Sequence, residues 1–131
     1  MTRTRRLRDL IARPRLLVLP STYDPLLARC VEQAGFEALY MAGSGVANGT
    51  LAVPDLGMVT FPEMLERARL LADVTSLPLL ADAEDGFGAP LDIMRTVRSF
   101  DPCLPCGVHM FVGEGKILRT YHSPMFGVGK P

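Results

Sequence analysis

The sequence has no excess charge of either sign: 14 Lys plus Arg balance 14 Asp plus Glu among 131 residues. A neutral chain lacks the global field that steers nucleic acid or anionic lipid, so neither partner is expected. It has no apolar run near the roughly 18 residues that cross a bilayer, so no membrane role is expected either. Its three cysteines are an odd, small set, which argues against a secreted disulfide framework and for the cytoplasm. No GxGxxG follows the first predicted strand, which weakens dinucleotide binding. What is present is 48% hydrophobic against 21% charged residues, the balance of one globular domain.

Positive charge is densest at the start, in Arg3, Arg5, Arg6, Arg8, Arg13 and Arg15. The apolar run that follows, Leu16 to Leu19, stops at Pro20 and is too short for a signal-peptide core. An Arg-rich, acid-poor start fits a mitochondrial transit peptide. It also fits an amphipathic surface helix with Leu7, Leu10 and Ile11 on one face, and the helical spacing favours the helix.

The first hundred residues alternate short apolar runs with helical patterns. Leu16–Leu19 reads as a buried strand. Asp24-Pro25 reads as an N-cap and first-turn proline opening a helix that stops at Gly35. On that helix Cys30 falls on the apolar side, as a core residue. Phe36–Met41 is the next strand. Ala42–Met58 carries Gly43, Gly45, Gly49 and Gly57 and reads as a loop. Thr60-Phe61-Pro62-Glu63 has the form of a capping box, followed by helical spacing of Met64, Leu65, Ala68, Leu71 and Ala72. Leu77–Ala81 is a third strand, Asp85–Ala89 a turn, and Leu91–Phe100 a third helix.

This β-α-β-α-β-α order predicts an α/β fold with a parallel sheet, either a barrel or a doubly wound sheet. The polar and glycine-rich residues cluster after the second and third strands, at the carboxyl ends where barrel enzymes place their chemistry. After Phe100 the pattern changes. Two prolines within Asp101–Cys106 are expected to end the helix. Val108–Val112 could form one short strand, and residues 101–131 otherwise read as a weakly structured tail. The expected division is therefore 1–100 and 101–131.

Asp82, Glu84 and Asp85 place three carboxylates within four residues at the end of a buried strand. Alternation puts Asp82 and Glu84 on one face. A hard divalent cation would relieve their repulsion, and Mg²⁺ is commonly held by one or two carboxylates plus water and substrate oxygens. A solvated acidic turn before the next helix accounts equally well for the spacing. Tyr40-Met41-Ala42-Gly43-Ser44-Gly45 offers small residues whose backbone N–H groups could approach an anion, or a plain glycine turn. Pro54-Asp55-Leu56-Gly57 is a turn with one carboxylate. Cys103, Cys106 and His109 have the look of a metal or redox motif, but the cluster has no second half.

Taken in order, Arg15–Pro20, Tyr23-Asp24-Pro25, Glu32–Phe36, Tyr40–Gly43, Pro54–Gly57, Leu77–Ala83 and Arg95-Thr96-Val97 resemble the isocitrate lyase/phosphoenolpyruvate mutase superfamily. The likeness runs from Leu7 to Phe100 and is nearest the methylisocitrate lyases, dimethylmalate lyases and oxaloacetate decarboxylases. The resemblance implies a (β/α)₈ barrel that uses Mg²⁺ to cleave or form C–C or P–C bonds in small 2-oxo or 2-hydroxy carboxylates. A folded chain is expected to be a homo-oligomer. By position, Asp82 would coordinate Mg²⁺ directly or through water and help bind substrate. Glu84 stands where the family has a second metal-site aspartate. Ala42, Gly43 and Ser44 occupy the substrate-carboxylate loop, with Ala42 replacing a common serine. Tyr40 lies beside the site as a catalytic candidate, and Asp55 matches the aspartate of the mobile gating loop.

The family's next strand carries a Glu-Asp motif, followed in the lyases by a catalytic Cys-Gly-His, and neither occurs here. Cys106-Gly107-Val108-His109 has one residue too many and follows Asp82 too soon. A barrel typically needs about 250 residues. The expectation is thus a partial (β/α)₈ barrel, its first three β/α units joined to an irregular C-terminal tail, as truncation or a frameshift would give. The alternatives are a non-catalytic fragment or a small Cys/His metal-binding module.

Overall fold

The computed structural model describes residues 2–103, 107–111 and 117–121, with side-chain surroundings for residues 2–100. The helices are α1 (Arg3–Ala12), α2 (Pro25–Gln33), α3 (Gly43–Val46), α4 (Phe61–Val74) and α5 (Pro90–Cys103). The strands are β1 (Ser21–Thr22), β2 (Leu39–Met41), β3 (Leu79–Asp82), β4 (Gly107–Phe111) and β5 (Ile117–Tyr121). They form one sheet in sequence order. β1 to β4 are parallel neighbours, joined by helical crossovers, so the expected parallel β/α alternation is found. β5 returns antiparallel to β4, unlike a strand of an all-parallel barrel. Among the described residues no helix is long and apolar enough to cross a membrane.

Local chemistry sets the helix starts. The Asp24 carboxylate accepts from Leu27 N at 3.0 Å, with Pro25 next in the first turn. The Glu63 carboxylate accepts from the Thr60 N–H at 2.7 Å and from its hydroxyl at 2.6 Å, closing the front of α4.

Parallel strands bury both faces, and alternation divides their residues between two clusters. Leu39, Met41, Leu79 and Ala81 pack with Ala28 of α2, Met64, Ala68 and Leu71 of α4, and Phe100 of α5. One residue out of phase, Ala38 and Leu80 pack with Leu7 and Leu10 of α1, and Tyr40 joins them. The Arg-rich start is therefore an amphipathic helix laid against the second face.

Four expectations change. Leu16–Leu19 is not a buried strand: Leu16 is 88% exposed and Val18 54%. Ser21 pairs with Tyr40, and continuing that register backward sets Leu16–Leu19 against Gly35–Ala38, the turn after α2, which offers no ladder. The supposed loop after Met41 is helical at first, as α3 and then a π-helical turn, Ala47–Leu51. Val46 and Ala47 are buried there, and a Cβ on Gly45 would come within 2.9 Å of the Tyr23 ring, with Gly49 closer still. The glycines thus make a bed for an aromatic ring, and tertiary packing overrides their poor helix propensity. Cys30 is exposed, not a core residue, because α2 buries Ala28 instead. Finally, α5 runs through Pro102 to Cys103; a proline in the last turn forfeits a single helical hydrogen bond.

Beyond residue 100, β4 covers most of the predicted Val108–Val112 strand, whereas β5 was not anticipated and lies in the stretch read as weakly structured. The Cys103, Cys106 and His109 motif lies outside the residues whose side chains are described.

Candidate active site

β3 delivers Asp82 to the carboxyl edge of the parallel strands. It is 8% exposed, and its burial is compensated by backbone donors. Gly43 N donates to Oδ2 at 3.2 Å and Glu84 N to Oδ1 at 2.9 Å. The Tyr40 hydroxyl also hydrogen-bonds this carboxylate. Such partners fix the orientation of a buried carboxylate. Its oxygens keep further lone pairs for another ligand.

Glu84 follows in a left-handed conformation, φ +48°, which is strained for a residue with a side chain. Its carboxylate reaches the space above Gly43. A Cβ at Gly43 would overlap Glu84 Oε1 and approach Asp82 Oδ2 to 3.1 Å. The two carboxylates therefore converge on one glycine that lacks the atom to block them. Burial pushes the Glu84 carboxyl up to about 7, helped by the charges of Asp82, Asp55 and Asp85. Burial, then the charge and hydrogen bond of Asp82, hold the Tyr40 phenol well above its usual range. Tyr40 thus remains a neutral donor at neutral pH.

Asp55 is exposed on the loop before α4, yet its charge acts on both Glu84 and Tyr40. Ser44 is exposed in α3. Ala42 caps the start of α3, and its N–H is already bonded to Thr22 O at 3.4 Å. The Gly43 N–H, expected to meet a substrate carboxylate, instead holds Asp82. Tyr40, Gly43, Asp82 and Glu84 come together at one point, with Asp55 within electrostatic reach.

Sequence reasoning missed the aromatic floor beside these acids. Phe87 packs against Phe61 with centroids 5.6 Å apart and ring planes tilted by 49°. Both line a cavity of about 650 Å³ with Thr60, Glu84 and Asp85. The signal was the pair of aromatics flanking the Asp55 and Glu84 loops, but nothing local ties two residues so far apart in the chain.

Among the described residues, no three His, Cys, Asp or Glu side chains group to hold a metal by themselves. Two converging carboxylates with hard oxygen donors still suit Mg²⁺, which usually completes its shell with water and substrate oxygens. Burial first, and then the neighbouring charges of Asp82, Asp55 and Asp85, raise the Glu84 carboxyl at the same point.

Comparison with known proteins identifies the family. The phosphoenolpyruvate phosphomutase family model matches residues 7–111. "Probable 2-methylisocitrate lyase 2" of Corynebacterium glutamicum is 41% identical over 108 residues, 82% of this chain and 35% of that protein. The 2,3-dimethylmalate lyase of Eubacterium barkeri is 35% identical over 127 residues, 97% of this chain and 43% of that protein. The crystal structure of phosphonopyruvate hydrolase with oxalate and Mg²⁺ matches with a TM-score of 0.71 and 33% identity, over 79% of this chain and 36% of that one. The chain thus spans less than half the length of each of these relatives. Its parallel β/α units are part of their barrel-like fold, and it belongs to the isocitrate lyase/phosphoenolpyruvate mutase superfamily.

Proposed function

We propose that the chain carries the acid side of a Mg²⁺-dependent carbon–carbon lyase site acting on small 2-oxo or 2-hydroxy carboxylates, of the methylisocitrate lyase kind. The observation that carries this reading is the convergence of Asp82 and Glu84 over Gly43, beside the Tyr40 hydroxyl. Asp82 and Glu84 would hold the ion. When bound, Mg²⁺ supplies electrostatic stabilisation of the negative charge that develops on substrate oxygens as a bond next to a carbonyl breaks. Tyr40 keeps its proton, donates to Asp82 and fixes that carboxylate's orientation. Ala42, Gly43 and Ser44 border the place for the substrate carboxylate. With the Gly43 N–H given to Asp82, the Ser44 hydroxyl and backbone remain for that task. Asp55, on its exposed loop, would close over the site and help exclude water.

This reading predicts that Mg²⁺ and oxalate bind together. Calorimetry on the folded chain checks it; oxalate binding that is absent or indifferent to Mg²⁺ rejects it. The same reading puts the protein in the cytoplasm, as a homo-oligomer, with residues 1–100 as its barrel part and 101–131 as a divergent tail.

A second reading, a non-catalytic fragment with no activity of its own, is favoured by exposed apolar side chains. Leu16, Leu56 and Leu91 are 88%, 79% and 78% exposed. It predicts self-association without activity. A monomer in sedimentation analysis that cleaves methylisocitrate would dispose of it.

A further inference from the structure

The acid-bearing loop between β3 and α5 is bent out of ordinary geometry along most of its length. Glu84, Gly86, Phe87 and Gly88 all have positive φ, at +48°, +94°, +62° and +148°. The two glycines adopt it freely, but for Glu84 and Phe87, which carry side chains, such a path persists only when its surroundings dictate it. Gly86 is its buried midpoint. Its N–H turns back to Ala83 O at 2.8 Å. Its carbonyl accepts from the Thr96 hydroxyl at 2.9 Å, a contact across ten residues and buried from water. Thr96 is 2% exposed in the body of α5. A helical threonine commonly satisfies its hydroxyl on its own preceding turn; here it reaches out of the helix instead.

We infer that Thr96 is a positioning residue: its hydroxyl pins the Gly86 turn and thereby sets the Glu84 carboxylate over Gly43 beside Asp82. It touches neither substrate nor ion. α5 is anchored by Phe100 in the main core, so the bond ties the Gly86 turn to a fixed helix. Its stiff β-branched side chain aims the oxygen with little freedom. The link to metal binding rests on the function proposed above, whereas the link to the Glu84 turn does not.

Two variants separate hydroxyl from shape. Thr96→Val keeps the branched outline and removes the donor; Thr96→Ser keeps the donor. Two measurements are made on the full chain: amide hydrogen exchange, and binding of Mn²⁺ followed by the spin resonance of the free ion. In Thr96→Val the Glu84 and Gly86 amides should exchange several-fold faster, while Leu39 and Tyr40 in β2 keep their protection. Mn²⁺ affinity should fall roughly tenfold, the usual scale for a lost supporting hydrogen bond. Thr96→Ser should restore both. Unchanged exchange at Glu84 and Gly86 in Thr96→Val overturns the inference. So does a Thr96→Ser protein as unprotected there as Thr96→Val is expected to be, a test that stands even if the valine variant does not fold. If the unaltered chain takes up no Mn²⁺ but the exchange changes appear, the metal assignment fails and the positioning role stands.

Discussion

Leu39, Met41, Leu79 and Ala81 point toward α2, α4 and α5 and are wholly withdrawn from water. One position out of phase, Tyr40, Leu80 and Asp82 face α1 and the loops at the carboxyl edge. The two sides of the same short strands thus divide the labour: one is hydrocarbon throughout, the other packs Leu80 on α1 and ends in a charge held by backbone donors. Because side chains alternate with a period of two, a single-residue slip would exchange the two roles. The contrast also explains how a strand of four residues can be fully buried and still present a carboxylate for chemistry.

The comparison breaks first, and most visibly, at the packed side. Leu79→Ala should cost about 2–5 kcal/mol in urea unfolding, from lost burial and the cavity left behind. Leu80→Ala, on the side covered by α1, should cost less; equal losses would erase the distinction. Next, Asp82→Asn should abolish Mg²⁺ binding in calorimetry. Its stability loss should be smaller, about 1–3 kcal/mol, since the amide cannot satisfy all of the facing donors. A variant that still binds Mg²⁺ would detach Asp82 from the metal role.

The acid side should also respond to pH where the packed side does not. Glu84 titrates at about 7 in the fold, against 4.5 as its ordinary value, so the native chain holds this proton more tightly than the unfolded chain. Its contribution to stability is fully present below about pH 4.5 and is lost as pH rises through about 7. Urea midpoints measured without metal should fall across that window, and Glu84→Gln should flatten the fall. Mg²⁺ affinity should rise over the same range, since the ion needs the ionised form. Smaller again, Gly43→Ala should weaken Mg²⁺ binding by displacing the flexible Glu84 carboxylate, with little loss of stability. An unaltered affinity would mean that the open space over Gly43 is not used. At the far end, Arg69→Ala removes exposed pairs with Glu66 and Asp73. It should shift stability by no more than about 0.5 kcal/mol.

What the sequence disclosed was set by range. The Asp24 cap and the Thr60–Glu63 contact are written within a few residues and were legible. Strand alternation does not explain how Asp82 and Glu84 meet, because β3 ends at Asp82 and Glu84 arrives through a left-handed turn. The parallel β/α order followed from the same periodicities. Leu16–Leu19 misled because an apolar run says nothing about what lies opposite, and there a turn does. The glycines after Met41 misled because their reason is Tyr23, which sits in another element. Cys30 has apolar spacing, but α2 turns a narrower stripe inward than the spacing suggested. At the site, spacing supplied the pair of acids. The placing of Asp55 came from family resemblance, and the Phe61–Phe87 floor came only with the fold.

The Tyr23 ring lying where side chains at 45 and 49 would stand has an evolutionary corollary. These three positions are free to drift only as a set. Enlarging either glycine first would evict the ring, whereas shrinking the ring first opens room that a larger neighbour can then fill. In descendants of this sequence, a bulkier residue at 45 or 49 should therefore be found together with a small one at 23.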